Sequence, residues 1–136
     1  MDIPDMPHFV HEGATRWSDE DRQGVLNNAV YLTLFEEARL GFARQAEVLE
    51  DGSFPFLLAE TTVRFVRPGR GGADVRVELS TTHVGRSSFH QAYRVRDAAT
   101  RDVWAEGTAV LVCYDPGTMR SKPLGDELRQ ALEALQ

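Results

Sequence analysis

Between Ala29 and Leu49 the chain is free of proline, and its apolar residues return at three- and four-residue steps: Tyr31, Phe35, Ala38, Phe42, Ala46 and Leu49. That spacing sets them on one stripe of an α-helix, and Val30 and Leu34 widen the stripe. A helix apolar over so much of its circumference is wrapped by protein, not laid on a surface. Gly24 supplies the preceding turn, and Asn27 or Asn28 can accept from the free N–H groups of the first turn, so the helix is predicted to start near residue 28. Its predicted end is the turn dipeptide Asp51-Gly52, followed by Pro55.

Beyond the helix the period changes to two. The segments Phe56 to Val66, Asp74 to Val84, Phe89 to Val95 and Val103 to Tyr114 each alternate, and in the second of them Val75, Val77 and Leu79 face one way while Arg76, Glu78 and Ser80 face the other. This is the pattern of half-buried antiparallel strands. The breaks at residues 68–72, 85–88 and 97–100 have hairpin length. A weaker strand is expected at the front, from His8 to Trp17, and a short amphipathic helix from Asp126 to Leu135 after Pro123. One strand, one long apolar helix and four further strands imply an α+β domain in which a curved five-stranded antiparallel sheet wraps a long central helix. No repeat or low-complexity stretch interrupts the 136 residues, so residues 1–136 are read as one domain.

Charge changes the picture more than composition does. The net charge of -6 argues against a nucleic-acid partner, because phosphate affinity comes from neutralising many backbone charges. The distribution is uneven: residues 1–60 hold 12 acids and 4 bases, residues 61–101 hold 3 acids and 8 bases, and residues 102–136 hold 6 acids and 3 bases. The basic middle can hold a small ligand with a few phosphates, since guanidinium forks match phosphate geometry. No run of about 18 apolar residues exists to span a membrane. The first ten residues carry acids and no base, so a cytoplasmic location is expected. The single cysteine, Cys113, lies in an apolar run, which excludes a disulfide frame and a cysteine-cluster metal site. The four histidines show no metal-ligand spacing, and His8 and His11, three apart in a strand, fall on opposite faces, so no metal and no cofactor is expected.

The stretch Arg16-Trp17-Ser18-Asp19-Glu20-Asp21-Arg22-Gln23-Gly24-Val25-Leu26-Asn27-Asn28-Ala29-Val30-Tyr31-Leu32, running into Phe35-Glu36-Glu37-Ala38-Arg39, resembles the hotdog-fold acyl-CoA thioesterases of the 4-hydroxybenzoyl-CoA thioesterase type. Their signature reads Asp-x-Asp-x-x-Gly-x-x-x-Asn, then Tyr-Leu and Phe-Glu-x-Ala-Arg. Val63-Arg64-Phe65-Val66-Arg67-Pro68 and Gly85-Arg86-Ser87-Ser88-Phe89 fit as well, so the resemblance covers nearly the whole chain in strand and helix order. It departs after Gly24, where many relatives read Gly-His-Val-Asn-Asn and this chain has Val25.

The resemblance implies hydrolysis of an acyl-CoA or acyl-carrier-protein thioester, with Asp21 as the catalytic carboxylate, either nucleophile or general base. Thioester hydrolysis needs an ionised carboxylate and a donor for the oxygen that becomes negative. The helix start near Asn28 offers free backbone N–H groups and a partial positive charge. Spacing alone does not choose between Asp19 and Asp21, because alternation along an extended segment sends both to one side; only the resemblance favours Asp21. Substrate contacts are implied at Asn27, Tyr31, Arg86, Ser87 and Arg120, with Arg86 and Ser87 in the region that meets the phosphates of coenzyme A. Glu36 is expected to pair with Arg39 at i+3, the alternative being that it faces the acyl pocket.

Other acyl-transfer chemistries find no support. There is no Gly-x-Ser-x-Gly elbow, Cys113 has no activating neighbour in sequence, and Gly69 to Gly72 lacks the Gly-Lys-Ser/Thr ending of a phosphate loop. The hydratases and dehydratases of the same fold rely on a histidine close to the acid, and residues 12–82 contain none. The rival from a different class is an acyl-CoA binding or sensing module that kept the fold without the chemistry. Sheet edges that need cover, together with the resemblance, imply a homodimer or homotetramer with sites at subunit interfaces.

Overall fold

The computed structural model describes residues 8–136, in the order β1 (Phe9–Ala14), a 3-10 turn (Trp17–Asp19), α1 (Asn28–Gln45), β2 (Phe56–Phe65), β3 (Asp74–Val84), β4 (Ser88–Asp97), β5 (Val103–Asp115), β6 (Arg120–Ser121) and α2 (Asp126–Glu133). The strands form one sheet in the order β1-β3-β4-β5-β2, every neighbouring pair antiparallel, and β6 adds a two-residue pairing to the end of β5. This is the expected α+β arrangement of the hotdog fold, with β6 as an addition that the sequence pattern does not announce.

α1 begins where the caps predict. The Asn27 side chain accepts from the Ala29 N–H at 2.9 Å. Its end comes earlier than the apolar stripe suggests. Val48 N–H reaches the Ala43 carbonyl at 3.0 Å and Glu47 N–H the Arg44 carbonyl at 3.2 Å, with Glu47 at φ 57°. These two bonds make a Schellman ending with glutamate where glycine is usual. Asp51 and Gly52 then form a separate tight turn, both at positive φ, closed by reciprocal bonds between Glu50 and Ser53.

The apolar face of α1 (Tyr31, Leu34, Phe35, Ala38, Phe42) packs on the inward residues of β3 and β4, among them Val77, Leu79, Phe89, Tyr93 and Val95. Phe35 stacks on Tyr93 with ring centroids 4.5 Å apart and planes at 14°. Phe35 also lies against Gly107 of β5, the cross-strand partner of Tyr93, where a β-carbon would sit 2.5 Å from the Phe35 ring. Glycine at this strand position is therefore a requirement of close helix-to-sheet approach. Arg39, on the buried flank of α1, does not pair with Glu36. Its guanidinium donates to the Tyr93 hydroxyl at 3.0 Å, and Tyr93 donates in turn to Gln91 at 2.9 Å.

α1 packs against β1, β3 and β4, and β2 at the far edge of the sheet is left mostly exposed. β2 is an edge strand, and Leu57, Leu58, Phe65 and Val66 on or beside it are 48%, 44%, 49% and 42% exposed.

The β4–β5 hairpin is held by Asp97, whose side chain accepts from the Ala99 and Thr100 N–H groups at 2.8 and 3.2 Å and pairs with Arg70 at 3.4 Å. The backbone bond from Thr100, joined by those from Ala99 and Arg70, holds its carboxyl below the usual aspartate range. A carboxyl whose pKa falls on folding stabilises fully above its unfolded pKa, and that contribution is lost as pH drops through the folded value. Thermal melts of Asp97→Asn should show an unfolding midpoint lowered by roughly 5 °C at neutral pH. The difference from the parent should shrink below about pH 4.

Candidate active site

The loop from Asp19 to Asn28 folds back on itself. Glu20 and Leu26 form an antiparallel bridge, Asn27 N–H donates to the Asp19 carbonyl at 2.8 Å, and Asp21 N–H donates to the Val25 carbonyl at 2.9 Å. The loop is also tied to the segment after β2. Leu26 N–H reaches the Gly69 carbonyl at 2.9 Å, and Gly71 N–H donates to the Glu20 carboxylate at 2.9 Å. The start of α1 at Asn27 is thus paired with Asp19 at the base of one pinned turn, and Asp21 sits two residues nearer the tip, opposite Val25 and outside the lining of the cavity beside the loop.

The two acids, equivalent by spacing, have different surroundings, because residues 17–19 form a 3-10 turn and not the extended segment expected. Both Asp19 oxygens are engaged by Arg16: Oδ2 accepts the backbone N–H at 2.8 Å, and Oδ1 accepts from the guanidinium at 2.9 and 3.3 Å. The Arg16 guanidinium, with the backbone bond, holds the Asp19 carboxyl below its ordinary range. Half-buried Asp21 uses Oδ1 to accept the Gln23 N–H at 2.8 Å. Its Oδ2 has no protein partner among the described residues.

A cavity of about 210 Å³ opens beside this loop, lined by Val25, Asn28, Tyr31, Phe65, Pro68 and Gly69 among others. The Asn27 side chain is spent on the helix cap, whereas the Asn28 N–H, ahead of the first intrahelical bond, has no acceptor among the described residues. The helix terminus thus offers the cavity a donor and the positive end of its dipole. Tyr31 is buried, its ring edge-on to Phe65 at 5.3 Å. Burial pushes its phenol up, opposed by a hydrogen bond with the Gly69 backbone. A β-carbon at Gly69 would come within 2.6 Å of Trp104 and 2.7 Å of the Tyr31 hydroxyl. The sequence pattern places Gly69 in a hairpin turn and carries no signal that Phe65 and Pro68 are cavity walls. Trp17, 82% exposed on the turn before Asp19, reads there only as the end of a strand.

Arg86, Ser87 and Arg120 gather elsewhere. Arg86 and Ser87 form the β3–β4 turn, the Ser87 carbonyl accepts from Cys113 N–H at 2.8 Å, and the Arg86 carbonyl accepts from Leu124 N–H at 2.9 Å. Arg120 lies on β6 opposite Asp115. Both Arg86 and Arg120 are exposed. Along β5 this end, at Cys113, is eight residues from Ala105, the partner of Phe65 at the cavity. At about 3.3 Å per residue the two groups are roughly 26 Å apart within one chain.

The remaining reactive candidates are quiet. Burial pushes the Cys113 thiol up, against the nearby Lys122, which leaves it a poor nucleophile. A larger cavity of about 480 Å³ between the end of α1 and α2 is rimmed by Glu47, Glu50, Asp126 and Glu127 with Lys122, a surface that repels phosphates. As expected for opposite faces, His8 meets Glu78 of β3 and His11 meets Glu37 of α1, each at 3.5 Å.

Known proteins are similar to this chain in architecture and in sequence. The chain is 24% identical over 134 residues to a 1,4-dihydroxy-2-naphthoyl-CoA hydrolase of Synechococcus elongatus, covering 94% of this chain and 97% of the relative. Among solved structures, a thioesterase from Thermus thermophilus, complexed with coenzyme A and Zn, is 32% identical with a TM-score of 0.81, over 98% of this chain and 97% of that one. A 1,4-dihydroxy-2-naphthoyl-CoA thioesterase from Synechocystis has the same fold, with a TM-score of 0.83 at 19% identity over 92% of this chain and 95% of that one. The sequence profile of the Thioesterase-like superfamily matches residues 15–132. The chain belongs to that superfamily and is a thioester hydrolase of the hotdog fold.

Proposed function

We propose that the chain hydrolyses the thioester of an acyl-CoA, with Asp21 as nucleophile or general base and the Asn28 backbone N–H as donor to the carbonyl oxygen. The observation that carries this reading is the contrast between the acids. Asp19 is fully engaged by Arg16, while Asp21 keeps an oxygen without a protein partner among the described residues, on the loop that leads to an unsatisfied helix terminus. A thioester carbonyl seated in the cavity at Asn28 and Tyr31 has its oxygen at the N–H and positive end of α1, where developing negative charge is stabilised. Coenzyme A as the carrier is supported by the 32% identical neighbour complexed with it, and an aromatic acyl group by the names of the naphthoyl-CoA relatives.

In this reading the nucleotide end of coenzyme A reaches Arg86, Ser87 and Arg120 of a second copy. Antiparallel pairing of two β2 edges about a two-fold axis covers Leu57, Leu58 and Phe65, and brings the Cys113 end of one sheet toward the Phe65 end of the other. That geometry joins two groups which one chain holds far apart.

Thiol release from a panel of aromatic and aliphatic acyl-CoA esters tests the chemistry. Asp21→Asn should lower kcat by about 10²- to 10⁴-fold with binding and the melting curve retained. Asp19→Asn should lose less activity but melt earlier, because it frees the turn from Arg16. The reverse ranking would reject Asp21, and tight acyl-CoA binding without turnover of any ester by the parent chain would favour a binding module.

The phosphate contact is tested separately. Arg86→Ala should raise KM for a CoA ester by roughly three- to tenfold, the range for a solvent-exposed charged hydrogen bond, with kcat little changed. A short thioester without a nucleotide should be hydrolysed as before. Equal loss on both substrates would make Arg86 a structural residue.

A further inference from the structure

The outer face of the sheet, opposite α1, is charged and paired across strands over most of its width. Glu78 of β3 meets Arg96 of β4 at 2.8 Å, and Glu106 of β5 meets Arg64 of β2 at 3.0 Å and Arg94 of β4 at 3.4 Å. Toward the β3–β4 turn this pattern gives way to two imidazoles. His83 and His90 are register partners on adjacent strands. Their neighbours in the ladder, Val84 and Phe89, include a phenyl ring buried in the core, so alternation turns both histidines outward. The ring centroids are 4.9 Å apart with planes at 53°. His83 is exposed and His90 half-buried, and neither has an ion-pair partner among the described residues.

A register shift makes this pair. Thr81 is opposite Gln91, so an unbroken ladder would put Thr82 opposite His90; the irregularity between Thr81 and His83 puts His83 there instead. A bulge that re-aims a side chain in this way is a feature of site construction in sheets.

We propose that His83 and His90 form a two-imidazole clamp for a divalent transition-metal ion of the zinc or nickel class. Neutral imidazole nitrogen binds such ions at about 2.0–2.1 Å, and two rings on one tetrahedral ion have centroids about 5 Å apart. The observed centroid separation of 4.9 Å falls at that distance. The all-nitrogen donor set selects against magnesium and calcium, which take oxygen ligands. Two protein ligands leave positions for water or for the matching pair of a second copy. The bound ion braces the hairpin whose turn carries Arg86 and Ser87. The clamp uses none of the residues assigned to hydrolysis, so it stands or falls apart from that reading.

Isothermal titration of zinc chloride, and separately nickel chloride, into the untagged full chain at about pH 7.5 tests the proposal. Saturable micromolar binding at one ion per chain or one per two chains is expected. His83→Ala and His90→Ala should each weaken binding roughly a hundredfold by removing the chelate. Their melting curves without metal should match the parent, and His11→Ala should bind as the parent does. Absence of saturable binding, or binding that survives in the His83→Ala/His90→Ala double variant, would overturn the clamp.

Discussion

The depth at which α1 sits in the sheet depends on one contact. Phe35 rests on the face of Tyr93 and against the bare backbone of its cross-strand partner Gly107, and any side chain at residue 107 would enter the space of the Phe35 ring. Dispersion over a stacked ring and the absence of a β-carbon together let the helix approach closely. Arg39, one turn further on, then reaches the Tyr93 hydroxyl. The buried guanidinium is met by a neutral acceptor, the Tyr93 hydroxyl, which in turn donates to Gln91. Tyr93 stays protonated, its pKa pushed up to about 12 by burial against the opposing effect of Arg39.

Fixing the helix there fixes its N-terminus. The Asn28 N–H comes to lie at a small cavity because the loop before it is stitched to residues 69 and 71, and these follow the strand that lines the cavity. With the helix packed against β1, β3 and β4, β2 at the far edge of the sheet is left mostly exposed. One packing decision thus produces both a helix end with an unsatisfied donor at a cavity and an exposed sheet edge. Electrostatics follow the same division: the acidic turn belongs to one end of the sheet and the Arg86 and Arg120 hairpins to the other.

Much of this was legible in the sequence because it rests on period and caps. The strands fall close to the alternating segments, and the helix starts at the residue the asparagines mark. What was not legible depended on geometry without a residue signature. The apolar stripe continues to Leu49, but the helix stops at Gln45 because Glu47 takes the left-handed conformation usually given to glycine. Asp19 and Asp21 cannot be ranked on an extended segment; the 3-10 turn at residues 17–19, with Arg16 folded onto Asp19, separates them. The expected Glu36–Arg39 pair fails because Arg39 lies four residues after Phe35, on the same buried face. The bulge that aligns His83 with His90 is a matter of register, which alternation in one strand does not reveal.

In the proposed function the hydrolytic site is completed by two copies, Asp21 from one and Arg86 from the other. Mixed dimers of one Asp21→Asn chain and one Arg86→Ala chain, purified through two different tags, test it most directly by steady-state hydrolysis of a CoA ester. A shared site leaves one of the two sites intact, so the mixed dimer should show the KM of the parent at about half its turnover. If each chain used its own Asp21 and Arg86, no intact site would remain, and the mixed dimer would show only the raised KM of Arg86→Ala, which would rule out a shared site.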